Sequence, residues 1–340
     1  MKERILSPIV EDPVMVRIYA QIRKLAPADL PVLIIGETGC GKELVAAALH
    51  AGSPRVRLPM IPLNCAALHE HLAESELFGH ERGAFSGAVT AKAGLIEAAT
   101  GSTLFLDEIG ELSPITQAKL LRVLESGRLT RVGDVQERAV DVRILAATNR
   151  DLRAEVSAGR FRSDLFFRLS GALLEIPPLR QRPSEISILA STFLEEARRL
   201  IGGGPMTISP EAMLVLRAHA WPGNVRELKN VMQYFATTLG STVLLPRDVS
   251  EVLSVRTVTL QHAPEVDPMG AGSLVDRQFR PLADELRELE ITRIREALEA
   301  TGGNQTRAAL LLSMPMRTFF GKVKQYGLPH GRPGRPGKAP

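Results

Sequence analysis

Cysteines and long apolar runs are scarce in this sequence of 340 residues, and each absence excludes a class of protein. The two cysteines, Cys40 and Cys65, are too few for a disulfide framework, and neither has a His or Cys nearby at zinc-site spacing. No apolar run approaches the roughly 18 residues that a membrane-spanning helix needs. Glu3, Glu11 and Pro13 interrupt any signal-peptide core. We therefore expect a cytoplasmic protein with reduced thiols and no membrane partner.

Acidic residues are absent from the last 40 positions, although the chain as a whole is nearly balanced in charge. Residues 301–340 contain seven Lys and Arg and no Asp or Glu, whereas the whole sequence carries only +4. The first 300 residues therefore carry a formal charge of −3. A basic end on a nearly neutral body predicts a polyanionic partner for that end alone.

The first half of the chain alternates short apolar, β-prone runs with helical patterns. Such runs between helices indicate an α/β fold, with a parallel sheet covered on both faces; they lie at 31–35, 60–63, 102–106 and 142–146. From 178 to 248 the β pattern disappears and apolar residues recur at helical spacing, which predicts a small helical subdomain. Residues rich in Pro, Gly, Val and Thr then predict a linker over 251–280.

The end of the chain has the pattern of an all-α helix-turn-helix domain, which we expect over 281–330. A long helix stops at Gly302-Gly303, and Asn304 is suited to cap the next helix. A turn at 313–315 precedes the last helix. The basic, Pro- and Gly-rich residues 331–340 predict a disordered tail.

A phosphate-binding loop directly follows the first predicted strand. Residues 36–43 match the pattern G-x-x-x-x-G-K, in which backbone N–H groups surround the phosphates and the lysine, here Lys42, reaches the terminal ones. Glu43 stands where the general pattern has a Ser or Thr hydroxyl for magnesium. The loop predicts a nucleotide site formed by Gly36, Glu37, Thr38, Gly39, Cys40, Gly41, Lys42 and Glu43.

Two further strand ends supply the remaining chemistry of this site. Apolar residues 104–106 place Asp107 and Glu108 at the sheet edge where α/β proteins bind ligands. We expect Asp107 to hold Mg²⁺ through water, and Glu108 to orient and deprotonate the attacking water. Asn149, at the end of another strand, is placed to contact the γ-phosphate or that water.

Several segments together resemble the central domain of the bacterial enhancer-binding proteins, the AAA+ activators of sigma-54 RNA polymerase. They read ESELFGHERGAFSGA, GETGCGKE, LNCAAL, STLFLDEIGEL, QAKLLRVLE, ILAATNRDL, FRSDLFFRL and WPGNVRELKN. The resemblance covers about residues 10–250 and implies an AAA+ P-loop ATPase core over 1–177 and a helical lid over 178–250. It also accounts for Glu43, which is common after the phosphate-loop lysine in this family.

The resemblance assigns two surface loops. The first matches the family's GAFTGA loop and would contact sigma-54 through Phe85, with Ser86 where Thr is usual. It consists of Gly83, Ala84, Phe85, Ser86, Gly87 and Ala88. The second loop, at 127–137, would move with the first.

The resemblance also implies a site shared between subunits. Arg162 and Arg168 align with arginine fingers, which reach the γ-phosphate bound by the neighbouring subunit and neutralise charge in the transition state. Arg226 matches the second sensor, which contacts the nucleotide of its own subunit. A shared site requires a ring, and the active form in this family is usually a hexamer.

The last domain resembles the Fis-like DNA-binding domain that most of these activators carry. In that arrangement the last helix would enter the major groove of double-stranded enhancer DNA. Pro315 replaces the usual Ser cap, and Met316 and Gly321 stand where the family often has basic residues, which indicates weak or unusual readout of the DNA sequence. The residues expected to reach DNA are Arg307, Arg317, Thr318, Lys322 and Lys324.

Together these features predict a sigma-54-dependent transcriptional activator that hydrolyses ATP in a ring assembled from dimers, remodels the closed promoter complex and is associated with the nucleoid. Because the ATPase domain starts close to the first residue, we expect control by a partner protein in trans, by expression level or by a domain outside this sequence. Two alternatives stay open. They are an AAA+ DNA-binding regulator of a non-sigma-54 polymerase and a non-catalytic DNA-binding repressor.

Overall fold

The computed structural model describes residues 11–67, 70–85, 87–261 and 282–328. The chain divides into two compact units, residues 1–262 and 263–340. Ser86, most of the predicted linker and the predicted tail lie outside the described residues. Within the described ranges, no helix is long and apolar enough to cross a bilayer.

The strands in the described part of the first unit form one central sheet and three small pairs. In chain order they are β1 (Val32–Ile35), β2 (Ile61–Asn64), β3 (Gly79–His80), β4 (Lys92–Ala93), β5 (Thr103–Asp107), β6 (Arg128–Thr130), β7 (Glu137–Ala139), β8 (Arg143–Thr148), β9 (Ala172–Glu175), β10 (Thr207–Ile208) and β11 (Val243–Leu244). The central sheet has the order β2-β5-β8-β1-β9, and all its neighbouring strands are parallel. The predicted parallel sheet is therefore confirmed.

The helices of the first unit follow the pattern that the sequence predicts. They are α1 (Pro13–Leu25), α2 (Lys42–Ala51), α3 (Glu70–Phe78), α4 (Leu95–Ala98), α5 (Pro114–Ser126), α6 (Leu152–Ser157), α7 (Ser163–Leu169), α8 (Pro183–Leu200), α9 (Pro210–Ala218), α10 (Asn224–Thr238) and α11 (Pro246–Gln261). Some of them begin with a side-chain cap: at the start of α1, Asp12 Oδ1 accepts a hydrogen bond from Val14 N at 3.0 Å. Asp151 Oδ1 likewise accepts one from Arg153 N at 2.9 Å, so both helix starts have a partner for an otherwise free N–H group.

Helices cover both faces of the central sheet. Leu33 of β1 packs in a buried cluster with residues of α3, α5 and α7. Its neighbours Val32 and Ile34 point to the other face and pack with α1 and α2. This alternation explains why the central strands read as continuous apolar runs. The fifth strand, β9, was not predicted; it is an edge strand in which only Leu174 is buried.

Helices α8 to α11 form the lid and pack around a separate core that contains Trp221 and Phe235. This helical subdomain agrees with the prediction, although the short parallel pair β10 and β11 was not foreseen. The start of the predicted linker is corrected: residues 251–261 continue α11, because Val249 and Leu253 lie one turn apart and are both buried in the lid core.

The second unit contains three helices in its described part: α12 (Leu282–Ala300), α13 (Gln305–Leu311) and α14 (Met316–Gln325). Asn304 Oδ1 accepts a hydrogen bond from Arg307 N at 3.2 Å, which confirms the predicted cap of α13. Leu289 of α12 is exposed and lies outside the core of this unit. The core comprises Ile294, Ala297, Leu298, Ala308, Ala309, Phe319, Val323 and Leu328.

Candidate functional site: a nucleotide site and two surface loops

The phosphate-binding loop connects β1 to α2 at the carboxyl end of the sheet. Gly39 and Gly41 have φ angles of +78° and +106°, which residues other than glycine rarely adopt. A Cβ atom at Gly39 would also lie only 2.5 Å from the carbonyl oxygen of Gly223 in the lid. The loop leads directly into the first turn of α2, where the helix dipole favours an anion. The local backbone thus fits the phosphate site predicted from the sequence.

Lys42 is the buried cation of this site, with 6% of its surface exposed. Its Nζ donates a hydrogen bond to Gly36 O at 2.9 Å and lies 3.3 Å from Glu108 Oε1. The pair joins the phosphate loop to the end of β5. A buried ammonium is costly without partners, and these two acceptors supply them.

Glu108 and Asn149 extend this arrangement across two strand ends. Glu108 has a left-handed φ of +52°, and its Oε2 accepts a hydrogen bond from Asn149 N at 3.2 Å. Asn149 Nδ2 in turn donates to Thr38 Oγ1 at 3.0 Å. Burial, followed by the negative charge of Glu108, raises the pKa of the neighbouring Asp107 carboxyl. The structure therefore brings together residues that are far apart in the sequence.

The residues at this edge fit a nucleotide with a divalent cation. Asp107 offers the hard oxygen ligand that Mg²⁺ prefers. Among the described residues, no group of three or more His, Cys, Asp and Glu could hold a metal ion, so phosphate oxygens and water would have to complete its coordination. Glu43 is exposed in the first turn of α2 and supplies no hydroxyl.

The two cysteines are free and buried. Burial is the main reason why the pKa of the Cys40 thiol is raised and that of Cys65 reaches about 12. Both groups are therefore neutral thiols near pH 7 and poor nucleophiles.

The lid contacts the phosphate loop through Asn224, whose φ is +51° and whose surface is fully buried. Its Nδ2 donates to Glu37 Oε2 at 3.0 Å and to Thr38 O at 3.1 Å. Its Oδ1 accepts a hydrogen bond from Leu179 N at 2.7 Å. Asn224 has no predicted role, although it lies in the segment WPGNVRELKN that carries part of the resemblance.

A second lid contact is an ion pair between Arg180 and Glu37. Two hydrogen bonds of 2.9 and 2.6 Å join the guanidinium to the carboxylate. This pairing, supported by Asn224, lowers the pKa of Glu37 to about 2. Arg180 was also missed, because the residues that surround it in the sequence carry no signal for a partner about 140 positions away.

Arg226, the predicted second sensor, lies beside the same loop. A Cβ atom at Gly39 would be 3.1 Å from the Cβ of Arg226. The charge of Arg226 also acts on the Asp107 carboxyl, in the direction that lowers its pKa. The side chain is exposed, so it is free to contact a nucleotide.

The predicted arginine fingers make contacts only outside this site in the described part of the chain. Arg162 forms an ion pair with its neighbour Asp164 at 2.7 Å, and Arg168 Nη2 donates to Leu124 O at 2.9 Å. Both side chains are exposed at opposite ends of α7. One chain alone therefore does not bring them to its own phosphate loop.

The first surface loop is a tight turn with Phe85 at its tip. Gly83 N donates to Ala88 O at 2.9 Å, and Ala88 N donates to Phe85 O at 3.0 Å. Phe85 is 41% exposed, and its ring meets the His80 ring edge-on, with 5.0 Å between the centroids. The loop thus presents an aromatic side chain to solvent from a defined base.

The second surface loop, the hairpin of β6 and β7, contacts the base of the first. Arg131 Nη1 and Arg138 Nη2 lie 3.0 and 3.1 Å from the same Glu81 oxygen. A Cβ atom at Gly133 would be 2.8 Å from the Cβ of Ala84. These contacts connect the two surface loops at their base.

The predicted DNA-contact residues differ in their surroundings. Arg307, Arg317, Thr318 and Lys324 are exposed. Lys322 instead forms an ion pair with Glu290 of α12, and Tyr326 Oη donates to the same carboxylate at 2.6 Å. Lys322 therefore joins two helices of its own domain.

Comparison with known families divides the chain into three matched parts. Residues 9–175 match the sigma-54 interaction domain, and residues 180–265 match the AAA+ ATPase lid domain. Residues 285–326 match the bacterial regulatory protein, Fis family.

Individual relatives and solved structures agree with these matches. The chain is 47% identical to the Nif-specific regulatory protein of Azotobacter vinelandii, over 92% of this chain and 57% of the relative. It is 44% identical to the transcriptional regulatory protein ZraR of Klebsiella oxytoca, over 93% of this chain and 68% of the relative. NtrX from Brucella abortus in complex with ADP superposes with a TM-score of 0.67 at 32% identity, over 95% of this chain and 70% of that one. The corresponding ATP complex gives a TM-score of 0.65 at 30% identity, over 96% and 71%.

The chain spans 57% of the length of the Nif-specific regulatory protein and 68% of the length of ZraR. It contains a sigma-54 interaction domain, an AAA+ lid and a Fis-type helix-turn-helix, in that order. The chain therefore belongs to the family of bacterial sigma-54-dependent transcriptional activators.

Proposed function

We propose that this chain hydrolyses ATP in a homo-oligomeric ring and uses the energy to remodel the closed promoter complex of sigma-54 RNA polymerase. The observation that carries the proposal is the connected set Lys42, Glu108, Asn149 and Thr38 at the end of the sheet. The nucleotides named for the two NtrX structures support ATP as the ligand. A repressor that used this fold only to oligomerise would have no need for a carboxylate bonded to the phosphate-loop lysine.

The proposed reaction is the attack of water on the γ-phosphorus of ATP. Glu108 takes the proton from water, a bond forms between the water oxygen and phosphorus, and the bond to the β–γ bridging oxygen breaks to give ADP and phosphate. Lys42 and the loop N–H groups stabilise the charge on the phosphates. Bound Mg²⁺, held by Asp107 through water, would neutralise part of the same charge. Asn149 positions Glu108 through its backbone N–H group.

Two arginines complete the site from a neighbouring subunit. Arg162, which immediately precedes α7, and Arg168 near its end are exposed and contact only their own surroundings within the described residues. A second copy of the chain could place them against the γ-phosphate after the pair between Arg162 and Asp164 opens. This requirement supports a ring, for which we propose a hexamer assembled from dimers.

The loop that carries Phe85 is the part of the chain that would transmit the effect of ATP hydrolysis to sigma-54. An aromatic side chain 41% exposed at the tip of a turn is suited to bind an apolar surface of sigma-54. The contacts of Arg131 and Arg138 with Glu81 support joint movement of the two surface loops.

The second unit would bind double-stranded enhancer DNA through the exposed side chains of Arg307, Arg317, Thr318 and Lys324. Lys322 contributes less to this interface, because Glu290 already neutralises its ammonium group. Promoter DNA and polymerase place this activity in the cytoplasm, at the nucleoid. A regulatory protein acting in trans is the proposed source of control.

The test of the ATPase assignment is the variant Glu108→Gln, which keeps the shape of the side chain and removes its basicity. We expect ATP turnover to fall by about 100-fold or more while ATP binding is kept. The matched variant Lys42→Ala should lose binding as well. Unchanged turnover in Glu108→Gln would show that the assigned base is wrong.

A further inference from the structure

The last helix exposes apolar side chains beside basic ones. Phe320 and Met316 lie one turn apart on α14, and 41% and 39% of their surfaces are exposed. The core-facing side of the helix is filled instead by Phe319 and Val323. The two exposed side chains are therefore not required by the core of the domain.

The same outer face contains a glycine with open space beside it and two basic side chains. A Cβ atom added at Gly321 would meet nothing within 4 Å, so this part of the helix backbone is open to close approach. Arg317 and Lys324 lie one turn before and one turn after it on that face, and both are exposed. The helix, Met316–Gln325, contains no Asp or Glu.

This combination of charges favours DNA over a second copy of the chain as the partner of the face. Two copies meeting here through a two-fold axis would bring Arg317 and Lys324 close to their own equivalents, and like charges repel. The phosphates of duplex DNA supply the opposite charge on both sides of the groove.

We propose that Phe320 determines sequence specificity by packing on the C5-methyl group of thymine in the major groove. Gly321 lets the helix backbone lie close to the base edges, and Arg317 and Lys324 bind phosphates on either side. Phenylalanine is one of the side chains that contact the thymine methyl, and the methyl group is a feature that only the major groove displays. The proposal rests on the proposed DNA binding by the second unit and adds the base that it reads.

The test uses the full chain and a duplex selected by it from random sequences. Each thymine of the selected site is replaced in turn by deoxyuridine, which removes only the methyl group. Replacement at one or two of these positions should weaken the binding of wild-type protein about fourfold relative to the thymine duplex, since burial of one methyl group contributes about that factor to the affinity. Phe320→Ala should bind the thymine duplex about fourfold more weakly than the wild type and be indifferent to the replacement.

The control variant is Lys324→Ala, which removes a phosphate contact. It should bind the thymine and deoxyuridine duplexes more weakly by the same factor, so that the ratio seen with wild-type protein is kept. Thermal unfolding followed by circular dichroism should be unchanged in Phe320→Ala, because the side chain lies outside the core.

Three results would overturn the proposal. The first needs only the binding measurements on the wild-type protein. One is that no deoxyuridine position weakens binding by the wild type; a second is that Phe320→Ala keeps the wild-type sensitivity. In both, selective DNA binding would stand. The third is a fall in oligomer mass in Phe320→Ala without any change in base preference, which would assign the face to a second copy. If the wild type selected no duplex at all, the proposed DNA binding itself would fail.

Discussion

The nucleotide site and the arginine-bearing helix α7 differ in how complete they are within one chain. Hydrogen bonds connect Lys42, Glu108, Asn149 and Thr38 in series, and the lysine at one end of the series is buried. The guanidinium groups of α7 are exposed and bond to a neighbouring side chain or a carbonyl group. This difference supports the proposal that one chain builds the half of the site that binds ATP and supplies the base, and that another copy neutralises the charge in the transition state.

The largest effect on ATP turnover is expected for the two arginines that would act on the site of a second copy. Arg168→Ala and Arg162→Ala should each reduce ATP turnover by about 1,000-fold or more, because an arginine finger neutralises charge in the transition state. Binding of ATP by the isolated chain should change little. A coupled ADP-release assay together with equilibrium nucleotide binding measures both. Normal turnover in both variants would end the shared-site account.

Mixing two inactive variants sharpens the same comparison. Lys42→Ala lacks a working phosphate loop but keeps its arginines, whereas Arg168→Ala has the opposite defect. In mixed rings, some intact sites form between the two kinds of subunit, so turnover should recover to a measurable fraction of the wild-type rate. Mixing Lys42→Ala with Glu108→Gln provides the control, because both defects lie in the half that one chain builds. Equal recovery in the two mixtures would contradict the division proposed here.

A moderate effect is expected at the contact between lid and phosphate loop. Arg180→Met removes the ion pair with Glu37 and should raise the KM for ATP about threefold with little change in kcat, since exposed pairs contribute modestly. The difference from the wild type should shrink at high salt. Because the folded pKa of Glu37 is lowered to about 2, the carboxylate stays ionised from pH 5 upward and this contact is lost only as the pH falls towards that value. Steady-state kinetics at several pH values and salt concentrations check this. A strong change between pH 6 and 8 in the ratio of the variant's KM to the wild-type KM would contradict it.

The smallest effect separates two lysines of the last helix. Lys324→Met should reduce the slope of log affinity for DNA against log salt by about one unit, because one phosphate contact is lost. Lys322→Met should leave that slope nearly unchanged and instead lower the melting temperature slightly, because Lys322 pairs with Glu290. Titrations at several salt concentrations and a thermal scan distinguish the two. Equal slopes for both variants and a reduced slope relative to the wild type would place Lys322 on the DNA.

The residues that sequence reasoning identified share a local signature, and those it missed do not. The strands β1, β5 and β8 are buried on both faces and therefore read as apolar runs, whereas the edge strands β2 and β9 are half-exposed, and of these two only β2 was predicted. Lys42 and Glu108 stand in motifs with fixed spacing. Asn224 acquires its role only when the lid folds back on Glu37 and Thr38, which no local pattern encodes. The pairing of Lys322 with Glu290 likewise depends on packing between helices.

The measurement that tests the central claim most directly is the binding of the purified chain to isolated sigma-54 with and without ADP–aluminium fluoride. We predict a complex only with this transition-state mimic, and none in Phe85→Ala, which lacks the exposed ring, or in Arg168→Ala, which cannot complete the site of its neighbour. Wild-type protein that hydrolyses ATP but forms no complex in any nucleotide state would contradict the account. So would a Phe85→Ala variant that binds sigma-54 as well as the wild type does.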